Sequence, residues 1–212
     1  MELLRSLAKV LILGWGFLVG KKYYPFKSLF SYHPLCFIAF TISMVFSIAW
    51  SMEARLCRNK EKKEGLRVKH MYGMWASGVM YFLGISAIMY NKVVHGKGLL
   101  FVSGRMPSNH GWTGVIWGAV MSLTMIMGWM LFTTAKDLPH FALGILKNLG
   151  KGKGVATGKV TLRKLHYLLG TAGSTLAFVA GYLGLIKHDL NFESQLLAIV
   201  WALLFVPRLL TS

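Results

Sequence analysis

Acidic residues are scarce in this chain. Its 212 residues include seven Asp and Glu against 24 Lys and Arg. All seven, Glu2, Glu53, Glu61, Glu64, Asp137, Asp189 and Glu193, lie at the edges of apolar stretches or between them. Proton relays and metal transporters within a membrane usually need carboxylates at depth, so both chemistries are disfavoured from the outset. Cysteine is scarcer: Cys36 lies inside an apolar stretch, Cys57 lies in a basic one, and no CxxC motif occurs. A disulfide framework or a zinc site is therefore not expected. An internal repeat of 20–50 residues is also missing, as is a linker between two compositions, and 1–212 reads as a single domain. The glycine-rich stretch 147–159 has no G-K-[ST] ending and follows no predicted strand, which argues against a phosphate-binding loop. Its glycines and lysines suggest a flexible basic loop lying on anionic headgroups.

What is abundant is apolar sequence. Hydrophobic residues make up 55% of the chain, mean hydropathy is +0.53, and the apolar residues fall in long blocks. A hydrocarbon core about 30 Å thick needs about 20 helical residues to cross it, and the blocks have that length. They predict an all-α membrane protein with six transmembrane helices, at residues 3–20, 34–52, 70–90, 110–133, 166–186 and 194–210. The first block carries Arg5 and Lys9 and resembles the core of a signal peptide. Gly20-Lys21-Lys22-Tyr23 offers no small-x-small cleavage site, so it reads as a retained span whose cations snorkel toward the interface. Pro107-Ser108 and Thr161 read as helix starts, and Gly65 as the approach to the third span.

A net charge of +17 could point to nucleic acid. Here the cations occupy the gaps between spans, where they orient a membrane protein instead. Seventeen Lys and Arg fall on the side that holds 53–69, 134–165, Arg5, Lys9 and Arg208, against seven on the other. The richer side is expected to be cytosolic, with both termini on it. Around the first span the local balance runs the other way, because Lys21, Lys22 and Lys27 outnumber Arg5 and Lys9. Tyr32, Trp50, Tyr72 and Trp112, at span ends, read as an interfacial aromatic belt.

Four histidines open four successive apolar blocks: His33, His70, His110 and His166. Alternating helix direction puts His33 and His110 at the outer face and His70 and His166 at the inner one. Two pairs result, one near each surface. Small residues follow on each histidine's own helical face: Gly111, Gly114 and Gly118 after His110, Gly170 and Gly173 after His166, Gly73 and Ser77 after His70. Such residues let a flat macrocycle lie against a helix, or let helices pack directly. Together with paired imidazoles they favour haem held through both axial positions, which carries single electrons and leaves no open site for dioxygen. The other histidines, His95, His140 and His188, lack a matching opposite partner and read as solvated; His95 borders the outer face.

With these residues in view, the chain resembles the cytochrome b561 family. The resemblance runs from Ser28-Leu29-Phe30-Ser31-Tyr32-His33-Pro34 to Leu165-His166, nearly the whole chain. SLFSYHP, and Asn109-His110-Gly111 in place of a Ser-Leu-His-Ser-Trp pattern, are more similar to the domain-containing branch with tumour-suppressor-like reductases. The resemblance implies a four-helix di-haem core with two haem b groups, one between His33 and His110 and one between His70 and His166. It implies electron transfer from cytosolic ascorbate to monodehydroascorbate or ferric iron on the other side. An endomembrane location, in endoplasmic reticulum or cytoplasmic vesicles, and a homodimer are further expectations. Cations beside the inner pair, Lys69, Lys159, Arg163 and Lys164, are the candidates for meeting an anionic donor, with Arg105 and His95 at the outer face. The basic, aromatic motif that other members carry after the second span is not recognisable in 46–58. Two other readings stay open: a haem protein serving as redox sensor or anchor, and a haem-free transporter.

Overall fold

A computed structural model describes residues 2–25, 28–96, 109–134 and 136–209. All regular structure among them is helical: α1 (Glu2–Tyr23), α2 (Leu29–Leu56), α3 (Lys60–Val94), α4 (Asn109–Phe132), α5 (His140–Leu149), α6 (Val155–Ile186) and α7 (Asn191–Leu209). Five of these, α1 to α4 and α6, are long and apolar enough to cross a membrane, the make-up of a multi-pass membrane protein. The apolar part of α7, Asn191–Val206, falls short of that length.

Two helices extend well beyond the apolar blocks. Asn59 caps α3, its side chain accepting from the Lys62 amide at 2.9 Å. The Lys/Glu-rich run after it has high helix propensity and stays helical. Gly65 therefore lies inside α3, and His70 is almost three turns in from Lys60. α6 likewise starts at Val155, so Thr161 is internal and His166 lies about three turns from the start. The 147–159 stretch is not a flexible loop. It holds the end of α5, a tight turn with positive φ at Lys151, Gly152 and Gly154, and the start of α6. Pro107 and Ser108 lie outside the described residues.

The described residues divide into two units, one from Met1–Trp112 with Phe178–Ser212, the other Thr113–Ala177. In the first, α1 and α2 run antiparallel. Gly16 lies against Ile38 and Ile42, where an added Cβ would stand 2.8 Å from Ile42 Cδ1, and Trp15 meets Phe37 edge-on at 6.0 Å. Lys9 does not snorkel: its Nζ pairs with Glu53 at 2.7 Å and stands over the Phe46 ring. Arg5 does not snorkel either, being only 5% exposed. α2 packs on α3 through Gly73, which abuts Ser47 and Trp50, and through Ser77, whose hydroxyl donates to the Gly73 and Phe40 carbonyls.

In the second unit, the amphipathic α5 buries Ala142 and Leu146 against Met127, Met130, Leu138 and Leu162. Full burial of one leucine such as Leu146 stabilises by about 2 kcal/mol. Gly158 of α6 touches the Leu146 backbone directly, so only a residue without Cβ fits this crossing. Gly170 lies against Thr124, and Gly173 against Val120 and Met121. Of the glycines expected to line a cofactor, then, Gly73, Gly170 and Gly173 serve helix packing, as small residues in membrane bundles do. Gly114 has no atom within 4 Å of an added Cβ.

A candidate cofactor centre built on four histidines

Each predicted ligand histidine reaches across to a neighbouring helix. His33 Nδ1 lies 3.0 Å from the Gly84 carbonyl, and His110 Nδ1 lies 2.8 Å from the Ala180 carbonyl. His70 Nδ1 lies 3.0 Å from the Ser47 carbonyl, and His166 Nδ1 lies 3.0 Å from the Thr124 carbonyl. A carbonyl oxygen only accepts, so Nδ1 carries the proton in all four rings. In the neutral ring the lone pair is then on Nε2, the tautomer used by an imidazole that binds metal through that nitrogen. His95 differs: its Nδ1 bonds Asn91 of its own helix at 2.7 Å, on the surface. His140 and His188 are exposed.

Glycines on facing helices make room for these rings. A Cβ at Gly184 would stand 3.0 Å from His110 Cε1, and one at Gly128 3.2 Å from His166 Cε1. At Gly84 it would meet Cys36 Cβ at 3.1 Å and His33 Nδ1 at 3.7 Å. Gly84, Gly128 and Gly184 were not singled out in the sequence, since spacing along one helix does not reveal which residues of another helix face it. Ser47 escaped notice for the same reason. Its Oγ donates to the His70 carbonyl at 2.6 Å and lies 3.0 Å from His70 Nδ1, so one serine fixes both backbone and ring. Ser47→Ala removes the hydroxyl and keeps the carbonyl contact. It is expected to weaken ligand binding at the His70 centre about tenfold, measured by cofactor retention, while the His33 centre is unchanged.

The His33 and His110 rings belong to one unit, their centroids 6.5 Å apart and their planes at 76°. Two metal–imidazole bonds of about 2 Å each, plus about 1 Å from each Nε2 to its ring centre, require about 6 Å. The pair thus has the spacing and the tautomers for one six-coordinate metal with two axial imidazoles. Among the described residues no group of three or more His, Cys, Asp or Glu could hold a metal ion. His188 packs against Phe30 at 5.8 Å and Tyr23 at 6.3 Å, near the N-terminal end of the helix that carries His33. It borders the pair more closely than its reading as a merely solvated residue implied.

Lys69, Arg163 and Lys164 are exposed, each within three residues of its histidine. Lys159 is not available in the same way: its Nζ donates to the Thr133 carbonyl at 2.7 Å, capping the end of α4 where the helix leaves carbonyls unsatisfied. Arg105 lies outside the described residues. Comparison of the chain with family models, curated proteins and solved structures finds no match.

Proposed function

We propose that the protein is an ascorbate-dependent transmembrane electron transferase with two b-type haems, working in the manner of the cytochrome b561 family. The observation that carries this reading is the shared tautomer. Four histidines donate Nδ1–H to a carbonyl of another helix and present Nε2, while His95, the one other histidine with a ring hydrogen bond among the described residues, bonds its own helix. Six spans, a four-helix core and the pairing of His70 with His166 belong to the same proposal.

Bound between two imidazoles, a haem supplies one-electron chemistry with no open coordination position. His33 and His110 are oriented by the Gly84 and Ala180 carbonyls. Those hydrogen bonds also raise the donor strength of Nε2. Lys69, Arg163 and Lys164 raise the local concentration of an anionic donor at the cation-rich side. Replacing all three with glutamine is expected to raise KM for ascorbate about tenfold with kcat nearly unchanged, an effect that shrinks as salt rises. At the other face His188, between Tyr23 and Phe30, stands where an acceptor would approach.

Proteoliposomes that hold ferric chelate or an oxidised mediator inside and receive ascorbate outside test the whole scheme. Internal reduction that depends on the protein supports it. A haem spectrum without internal reduction would favour the sensor or anchor reading, and solute flux without haem the transporter.

A further inference from the structure

At the end of the first unit that holds His33 and His110, three separate parts of the chain converge on one ring. Tyr23 is the last residue of α1, Phe30 lies in the first turn of α2, and His188 lies in the turn between α6 and α7. The His188 ring meets Tyr23 edge-on at 6.3 Å and Phe30 at 5.8 Å. Its backbone is held as well, since the amides of Lys187, His188 and Asp189 donate to the carbonyls of Leu183, Leu185 and Ile186. Register puts this ring about one turn beyond both members of the histidine pair. Phe30 is three residues before His33 on α2, and His188 is four residues after Gly184, the glycine that gives the His110 ring its clearance. His188 is exposed, and among the described residues nothing hydrogen-bonds its ring nitrogens.

The charge at this end departs from the balance that orients the other spans. Lys21 and Lys22 finish α1 on the side with fewer cations, and Lys187 precedes His188; all three are exposed, with Asp189 as the acid beside them. At the other end of α1, Arg5 is buried and Lys9 is bound to Glu53, so the exposed cations of this helix are at the His188 end. A positive field at a mouth draws in anions, and an imidazole whose nitrogens are unoccupied hydrogen-bonds an anion's oxygen. We propose that His188 is the binding residue for an anionic, oxygen-rich one-electron acceptor, with Lys22 and Lys187 supplying the field that attracts it. This rests on the electron-transfer reading above. A carboxylate chelate of ferric iron and monodehydroascorbate share the chemistry. The first takes one electron and leaves as the ferrous chelate; the second takes one electron and a proton from water and leaves as ascorbate.

Diethyl pyrocarbonate footprinting of the full chain in phosphatidylcholine nanodiscs, with each modified histidine counted by mass spectrometry, tests the site without turnover. Ferric citrate, or ascorbate as the stable relative of monodehydroascorbate, should protect His188 about fivefold while exposed His140 stays within about twofold. The cationic acceptor hexaammineruthenium(III) should protect neither. Whichever anion protects identifies the source. Protection by neither, or equal protection by the ruthenium complex, overturns the proposal. In proteoliposomes that enclose the protecting acceptor, or its radical where ascorbate protects, His188→Leu should raise KM about tenfold with kcat and the haem spectrum unchanged, and His188→Gln, which keeps a hydrogen-bonding group, should recover most of the loss. A His188→Leu protein whose KM stays within about twofold of the parent's overturns it too. Parent protein that shows the protection but no internal reduction would instead sink the electron-transfer reading and leave His188 as an anion-binding residue.

Discussion

On the proposed function, purified His110→Ala protein is expected to carry one haem per chain where the parent is expected to carry two, and His70→Ala is expected to do the same through the other centre. Each variant should lose about half of the reduced-minus-oxidised absorbance, because a b-type haem is held by its two axial bonds and packing, without a covalent link to the chain. The halves should differ. His110 shares a unit and a 6.5 Å ring spacing with His33, so removing either should give the same residual spectrum. His70→Ala should match His166→Ala instead, if those two hold one haem between them. Four variants falling into two spectral classes would fix the pairing without further structure. Parent protein purified without haem would sink the proposed function.

The second large effect concerns stability. Gly158→Ala is expected to destabilise the protein by about 2–4 kcal/mol, because the new Cβ would overlap the Leu146 carbonyl, which is backbone and moves only if α5 leaves α6. Gly144→Ala is the contrast. It lies in the middle of α5 with nothing within 4 Å of an added Cβ, and the change should stabilise by about 0.5–1 kcal/mol through helix propensity. Thermal unfolding in detergent, followed by helical circular dichroism, measures both. Equal midpoints for the two variants would mean that the α5–α6 crossing is not held as described. The two glycines are fourteen residues apart in a glycine-rich region, and only the packing separates a required one from a dispensable one.

Much of the helical layout was legible because hydropathy acts locally. An apolar block of about 20 residues has few ways to satisfy its backbone other than a helix, so the blocks at 34–52, 70–90, 110–133 and 166–186 each lie within a helix, apart from Thr133 just past the end of α4. Helix ends were less legible. The blocks show where apolar side chains begin, whereas a helix begins where its first amides find a cap. Asn59 and the turn at Lys151–Gly154 moved two starts about ten residues upstream. The α5 helix was hidden inside a stretch that looked flexible. Its amphipathic pattern shows only with Ala142 and Leu146 set against Met127, Met130 and Leu162. Arg5 and Lys9 gave a similar lesson: a cation near a membrane surface suggests snorkelling, but one was buried and the other paired with Glu53 across 44 residues.

By itself the sequence determined that this is a helical, multi-pass membrane protein and singled out four histidines, because both follow from residue type and position along the chain. Those histidines stand at the boundary between polar and apolar sequence, and that boundary is a one-dimensional property. Only the tertiary structure decided which nitrogen each ring presents, since the acceptors for Nδ1 are the carbonyls of Gly84, Ser47, Thr124 and Ala180, each 23 or more residues away in sequence. It likewise decided which glycines make room for the rings and which merely pack helices. A ring's tautomer and its clearance depend on atoms of another helix, and contacts between helices are what a single chain's periodicity cannot express.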